Sequence, residues 1–216
     1  DLLIGYEVVP MTSGLLGQAS PRYARESDGR YTSAVSGVMR FNALAFDDRT
    51  AYGVDDIKLI IIHEMGHVLG LGTFWRNQCG TGCFNGDLNY RCNKARDMYK
   101  RIFLFRELKM EDEGDSGTTR CSHWEEDSFK TLEFSEIMTG SFETGKIQIL
   151  SKVTAAALED LGGYEIDYTQ ADDYPLAGLV ATEAEEVAPT NEIYSATSDF
   201  HIQTESIPGI FGLPED

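Results

Sequence analysis

The sequence predicts an α+β fold. Strand-like segments occupy the first 42 residues, a long amphipathic helix follows, and later helical patterns are separated by irregular chain. Residues 1–9, DLLIGYEVV, mix Leu, Ile, Tyr and Val as strands do. Residues 14–19 are short and punctuated by glycine before Pro21, which suits an edge strand. Residues 34–42 give a third strand, ending at a turn near Asp47 and Asp48. Residues 54–69 then change period. Asp55 and Asp56 sit where a helix start favours negative charge, and Ile57, Ile60, Ile61, Met65 and Val68 recur at helical spacing. Gly70 and Gly72 stop this helix. Further helices are expected over 95–108 and 153–161, and the chain beyond 173 is acidic and without sustained period, although 207–213 could dock. The division expected is a domain over 1–173, with an insertion over 73–122, and a tail or linker over 174–216.

The net charge of −18 argues against nucleic acid and anionic membrane surfaces as partners. No Lys or Arg follows Lys152, and the basic residues gather between Arg76 and Arg120. No apolar run is expected to span a membrane, and no basic leader precedes residue 1, so a signal peptide is expected to be removed or not included. Cys79, Cys83, Cys92 and Cys121 cluster in the loop-rich insertion and read as two disulfides formed in an oxidising compartment. The competing reading is a four-thiolate zinc site, disfavoured because Cys92 and Cys121 make no second close pair.

His63-Glu64-Met65-Gly66-His67 places H-E-x-x-H inside the predicted helix. Residues i and i+4 share a helix face, so both imidazoles can reach one metal ion, and Glu64 can reach a water on that ion without binding the metal. Zinc is the metal such a set favours, with Glu64 as the base that moves the water's proton. Gly70 extends the motif to H-E-x-x-H-x-x-G, the metzincin form, whose third ligand normally follows three residues later. That position is Thr73. The remaining histidines are His123 and His201; His201 lies in the acidic tail and reads as a surface residue. His123 shortly precedes Ile137-Met138-Thr139-Gly140, a turn whose methionine could lie beneath a metal.

HEMGHVLGLGTFW (63–75), SHWEE (122–126), EIMTG (136–140), LLGQASPRYAR (15–25) and TAAALEDLGGYEIDY (154–168) with Ala171-Asp172 resemble the leishmanolysin family of metzincins over roughly 1–175. In that family a long insertion precedes the third histidine. The resemblance therefore implies a zinc site of His63, His67 and His123, Glu64 as base, Met138 as the Met-turn residue, and cleavage of proteins outside the cell or at its surface. It also implies a twisted mixed sheet and the active-site helix above a cleft, with an irregular lower half. Residues 14–19 would edge the cleft, and Ser141 and Phe142 would wall a specificity pocket. The insertion NQCGTGCFNGDLNYRC matches no family pattern. The strand, helix and strand that usually precede a segment like DLLIGYEVV have no counterpart, so the chain is expected to be a fragment, a trimmed form or an abbreviated member. The alternatives are a catalytically silent zinc-binding or adhesion module of the same fold, and zinc hydrolysis of a non-peptide substrate.

Overall fold

The computed structural model describes residues 1–11, 14–44, 52–79, 86–104, 107–114, 119–129, 133–174, 202–204 and 210–212. The turn near Asp47 and Asp48, Cys83 and His201 lie outside these residues. Three strands open the chain, β1 (Leu3–Val9), β2 (Gly17–Ser27) and β3 (Arg30–Asn42). β3 is central, parallel to β1 and antiparallel to β2, so the sheet is mixed. β2 is longer than the predicted 14–19 and runs through Pro21. The register against β3 shifts between Pro21 and Tyr23, and β8 (Ile210–Gly212) pairs only with Tyr23–Arg25. An irregular, half-open strand is where a residue without an N–H is tolerated.

Helix α1 (Val54–Leu69) matches the predicted bounds and packs against β2 and β3. The Gly53 N–H donates to the Asp56 carboxylate at 2.8 Å, which ties down the helix entry. At the other end Gly70 turns with φ of 111°, a left-handed conformation that glycine adopts without strain, and Phe74 fills the space beside it. The face α1 buries differs from the apolar count. Ile60, Glu64, His67 and Val68 face inward, while Met65 is 37% exposed, because polar site residues occupy part of the inward stripe. By length and composition Val54–Trp75 would pass as a membrane span, a test that core helices also pass; this run is largely buried within the protein.

The insertion is not wholly irregular. It contains α2 (Thr73–Gln78) and α3 (Asn93–Phe103). α3 stops short of the predicted residue 108 because Leu104 turns left-handed and Lys109 and Met110 are drawn into bridges with Asn89 and Trp124. The Asp160 carboxylate, from α5 (Lys152–Asp160), accepts from Lys94 N and Ala95 N at 3.0 Å each and so caps α3 from another element. A short helix α4 (Glu126–Phe129) and a parallel strand pair, β4 (Phe134–Glu136) with β5 (Ile147–Ile149), complete the lower half. β6 (Tyr164–Ile166) pairs with β7 (Ile202–Thr204). Tyr164 joins the two halves: its hydroxyl donates to Leu69 O at 2.8 Å and accepts from Ala34 N at 2.8 Å.

The main core is aromatic, with Trp75, Tyr90 and Trp124 mutually packed, Phe129 against Trp124, and all four all but inaccessible. Trp75 Nε1–H donates to Cys121 O at 3.0 Å, anchoring the chain two residues before His123. Cys79 and Cys92 form a disulfide, which removes both thiols from any four-thiolate metal site. Cys121 is also disulfide-bonded, to a partner outside the described residues, and no described cysteine is free.

Candidate metal centre and active site

His63 and His67 lie one turn apart on α1, as i and i+4 spacing requires. His123 reaches them from a segment stitched on both sides. Glu111 N donates to His123 O and Cys121 N to Glu111 O, at 2.9 and 3.0 Å, while Trp124 N donates to Met138 O at 2.9 Å. The third histidine is thus held between residues 109–111 and the turn at Met138. Thr73, the position where the short metzincin spacing would put a ligand, starts α2 and lines the cleft without joining the histidine group.

The three Nε2 atoms form a near-equilateral triangle, 3.1 Å from His67 to each of His63 and His123, and 3.2 Å between those two. Each Nδ1 faces a backbone carbonyl: His63 that of Ile137 at 2.6 Å, His67 that of Leu71 at 3.0 Å, and His123 that of Thr119 at 2.9 Å. A carbonyl only accepts, so each Nδ1 carries the proton and each Nε2 turns a lone pair inward. Three lone pairs converging at this distance repel one another unless a cation lies between them. Nitrogens about 2.0–2.1 Å from a tetrahedral zinc-sized ion would stand about 3.3 Å apart, close to what is found. The residues therefore fit a metal ion.

Electrostatics agree with that fit. Burial lowers the pKa of His63, that of His67 falls well below the ordinary range, and His123 is pushed down to about 3, first by burial and then by His63. Neutral imidazole is the metal-binding form. Glu64 is 4% exposed, burial pushes its pKa up to about 8, and its Oε2 has no protein partner.

Beneath the histidines, Met138 packs under α1, and a Cβ at Gly66 would stand 2.7 Å from its sulfur. The second x of H-E-x-x-H is glycine here, which leaves room for this contact. Residues that sequence reasoning missed support the same floor. Glu136 is fully buried and accepts from Met138 N at 2.6 Å, Ser151 Oγ at 2.9 Å, Ser151 N at 3.3 Å and Thr154 Oγ1. Trp124 Nε1–H in turn donates to Thr154 Oγ1 at 2.8 Å. No local signal in the sequence marks Glu136, whose donors lie at Ser151 and Thr154. Gly17 is a second such residue, lying directly against Glu64.

The histidines and Glu64 open on a cleft of about 840 Å³ bordered by Gly14–Arg22 on one side and Thr139–Phe142 on the other. Ser141 and Phe142 both line it, and the Phe142 ring meets Tyr52 edge-on at 5.9 Å.

Fold and site together define a class: a mixed α+β domain with a three-histidine centre, able to hold one metal ion, at the floor of an open cleft. Comparison makes this particular. Residues 88–184 match the family model for leishmanolysin, a peptidase family, and over that stretch the chain is similar to leishmanolysin-like metallopeptidases. The match takes in His123 and Met138 but covers a little under half of the chain and leaves out the H-E-x-x-H helix. The motif on α1 and the family likeness are therefore separate observations, brought to one point by the fold. No curated protein matches the chain.

Proposed function

We propose that the chain is a zinc-dependent endopeptidase in which His63, His67 and His123 hold one zinc ion and Glu64 is the general base. The observation that carries this reading is the inward-facing triangle of Nε2 atoms, each histidine having its other nitrogen fixed to a backbone carbonyl. Zinc bound there supplies Lewis acidity, which polarises a carbonyl and makes water more acidic. Glu64 provides the proton path: its buried Oε2 takes a proton from the attacking water and delivers it to the leaving amine nitrogen. The carbonyls of Ile137, Leu71 and Thr119 keep the ligand rings from turning.

The substrate is an extended polypeptide. The backbone of Gly17–Arg22 borders the cleft, and among the described residues no strand pairs with its outer side. A peptide laid along it gains main-chain hydrogen bonds, as an added strand does. Phe142 and Tyr52 offer an aromatic wall to an apolar side chain of the substrate. The Cys79–Cys92 disulfide supports an oxidising setting for this activity, outside the cell or at its surface.

The test is zinc content measured alongside casein digestion, with and without a chelator, for the wild type and Glu64→Gln. The variant should keep its zinc and lose about 10²–10⁴-fold in turnover. More than a tenth of wild-type turnover in Glu64→Gln would remove Glu64 from the role of base. A zinc-loaded wild type that cleaves nothing would favour the silent binding module.

A further inference from the structure

A second group of metal-competent side chains lies behind the histidines. Glu111, Asp112 and Glu125 each offer a carboxylate oxygen, and these oxygens all lie within 4.8 Å of one another. Among the described residues none of the three, nor Glu126, forms an ion pair with Lys or Arg. The guanidinium of Arg120 goes to the Asp112 backbone carbonyl at 3.0 Å. Negative charge gathered here is not neutralised by these neighbours.

An acidic cluster at a surface is ordinary, and Asp112 alone would mean little. Glu111 is different. It is 1% exposed, its Oε1 accepts from Glu113 N at 2.7 Å, and its Oε2 is buried with no hydrogen-bond partner. The groups pressing on it are Glu126 and Glu125, both carboxylates. Glu111 Oε2 and Glu126 Oε1 each lie 3.3 Å from the point where a Cβ on Gly140 would stand, and the two carboxyl groups are near enough to interact. A covered carboxylate oxygen without a donor, beside further carboxylates, calls for a positive partner.

We propose that Glu111, Asp112 and Glu125, with Glu126 at their side, bind one calcium ion that braces the segment carrying His123. The donors are all oxygen, which selects a hard cation over zinc. The set mixes a covered glutamate with a half-buried and an exposed carboxylate, so its outer side is open to water ligands. Calcium accepts such an irregular shell, whereas magnesium demands near-ideal octahedral geometry.

The position gives the ion a task. Glu111 N holds His123 O, Asp112 N donates to Glu125 Oε2 at 3.3 Å, and Ser141 Oγ donates to Glu126 Oε1 at 2.9 Å. A cation there joins the chain on both sides of His123 and reaches the exit of the Met138 turn. Without it, repulsion among the carboxylates loosens that ladder. The inference does not rest on peptidase activity.

The test is calcium binding to the zinc-loaded, full-length chain, by equilibrium dialysis with radioactive calcium at constant ionic strength, together with thermal unfolding. Wild type should bind one equivalent with Kd on the order of 10⁻⁴–10⁻³ M, and its Tm should rise by a few degrees at ten times Kd. Glu111→Gln should weaken this binding at least tenfold, with zinc content unchanged. Asp112→Asn, at an exposed position, should weaken it likewise and serves if Glu111→Gln does not fold. Equal calcium binding by wild type and both variants would overturn the proposal. So would an equal Tm rise with magnesium, which would mark general screening of the acidic chain. A wild type indifferent to calcium, with Glu111→Gln more stable throughout, would show that Glu111 shares a proton with Glu126 instead.

Discussion

The carboxylate of Glu64 lies against the backbone of Gly17, so close that a Cβ on Gly17 would stand 2.8 Å from Glu64 Cδ. The edge of the cleft and Glu64 are therefore fitted to each other, and the fit depends on a missing side chain. Gly17→Ala is expected to push Glu64 out of place. A misplacement of about 1 Å can cost roughly 10²-fold in rate. Zinc content should be unchanged, because no ligand moves. Steady-state peptide cleavage with metal analysis checks this, and a Gly17→Ala enzyme with normal kcat would show that Glu64 has room to adjust.

His123→Ala should lose both zinc and activity, since two imidazoles alone hold zinc weaker by orders of magnitude. His201→Ala should change neither. Dialysis followed by metal analysis separates the two, and stoichiometric zinc in His123→Ala would mean that the third ligand is misassigned.

Glu136 makes stability depend on pH. Burial raises its pKa to about 7, against hydrogen bonds from Thr154, Met138 and Ser151 that lower it. The folded chain then binds more protons than the unfolded chain between about pH 4.5 and 7. Its contribution is full below the unfolded value and is lost as pH rises through 7, by on the order of 3 kcal/mol in all. Urea unfolding of wild type and Glu136→Gln from pH 4 to 8 should show a steeper fall with pH in the wild type. Parallel curves would mean that Glu136 stays ionised in the fold.

The Cys79–Cys92 bridge closes a separation of 13 residues, for which loop-closure arguments give about 3 kcal/mol. Replacing both by Ala should lower the urea midpoint accordingly, while cleavage of peptide by the protein that remains folded is retained. Loss of activity at full folded fraction would instead tie the bridge to the site itself.

The site was legible in part because helical geometry is local. His63 and His67 share a face whenever residues 54–69 are helical, and that helix was set by its own period, its acidic start and Gly70. His123 and Met138 stood out as a histidine ahead of a methionine-bearing turn, and the resemblance favoured them for the site. By contrast, Glu136 and Gly17 carry no local signature, since one answers to donors at Ser151 and Thr154 and the other to a carboxylate on α1. The overlong reading of α3 has the same origin, because Lys109 and Met110 obey partners at Asn89 and Trp124 rather than their own neighbours.

By itself, then, the sequence determined that three strands open the chain, though not the extent of β2 and β3, together with the metal-competent helix and the kind of chemistry that two imidazoles one turn apart and an adjoining glutamate can support. Only the tertiary structure decided which atoms of those residues face one another. It set the Nδ1 tautomers through the carbonyls of Ile137, Leu71 and Thr119, placed His123 within 3.2 Å of a helix 56 residues earlier, and buried Glu136 under Met138. The reason is physical. Periodicity records which residues a local backbone puts side by side, whereas ligand orientation is fixed by hydrogen bonds to backbone groups that chain closure alone brings near.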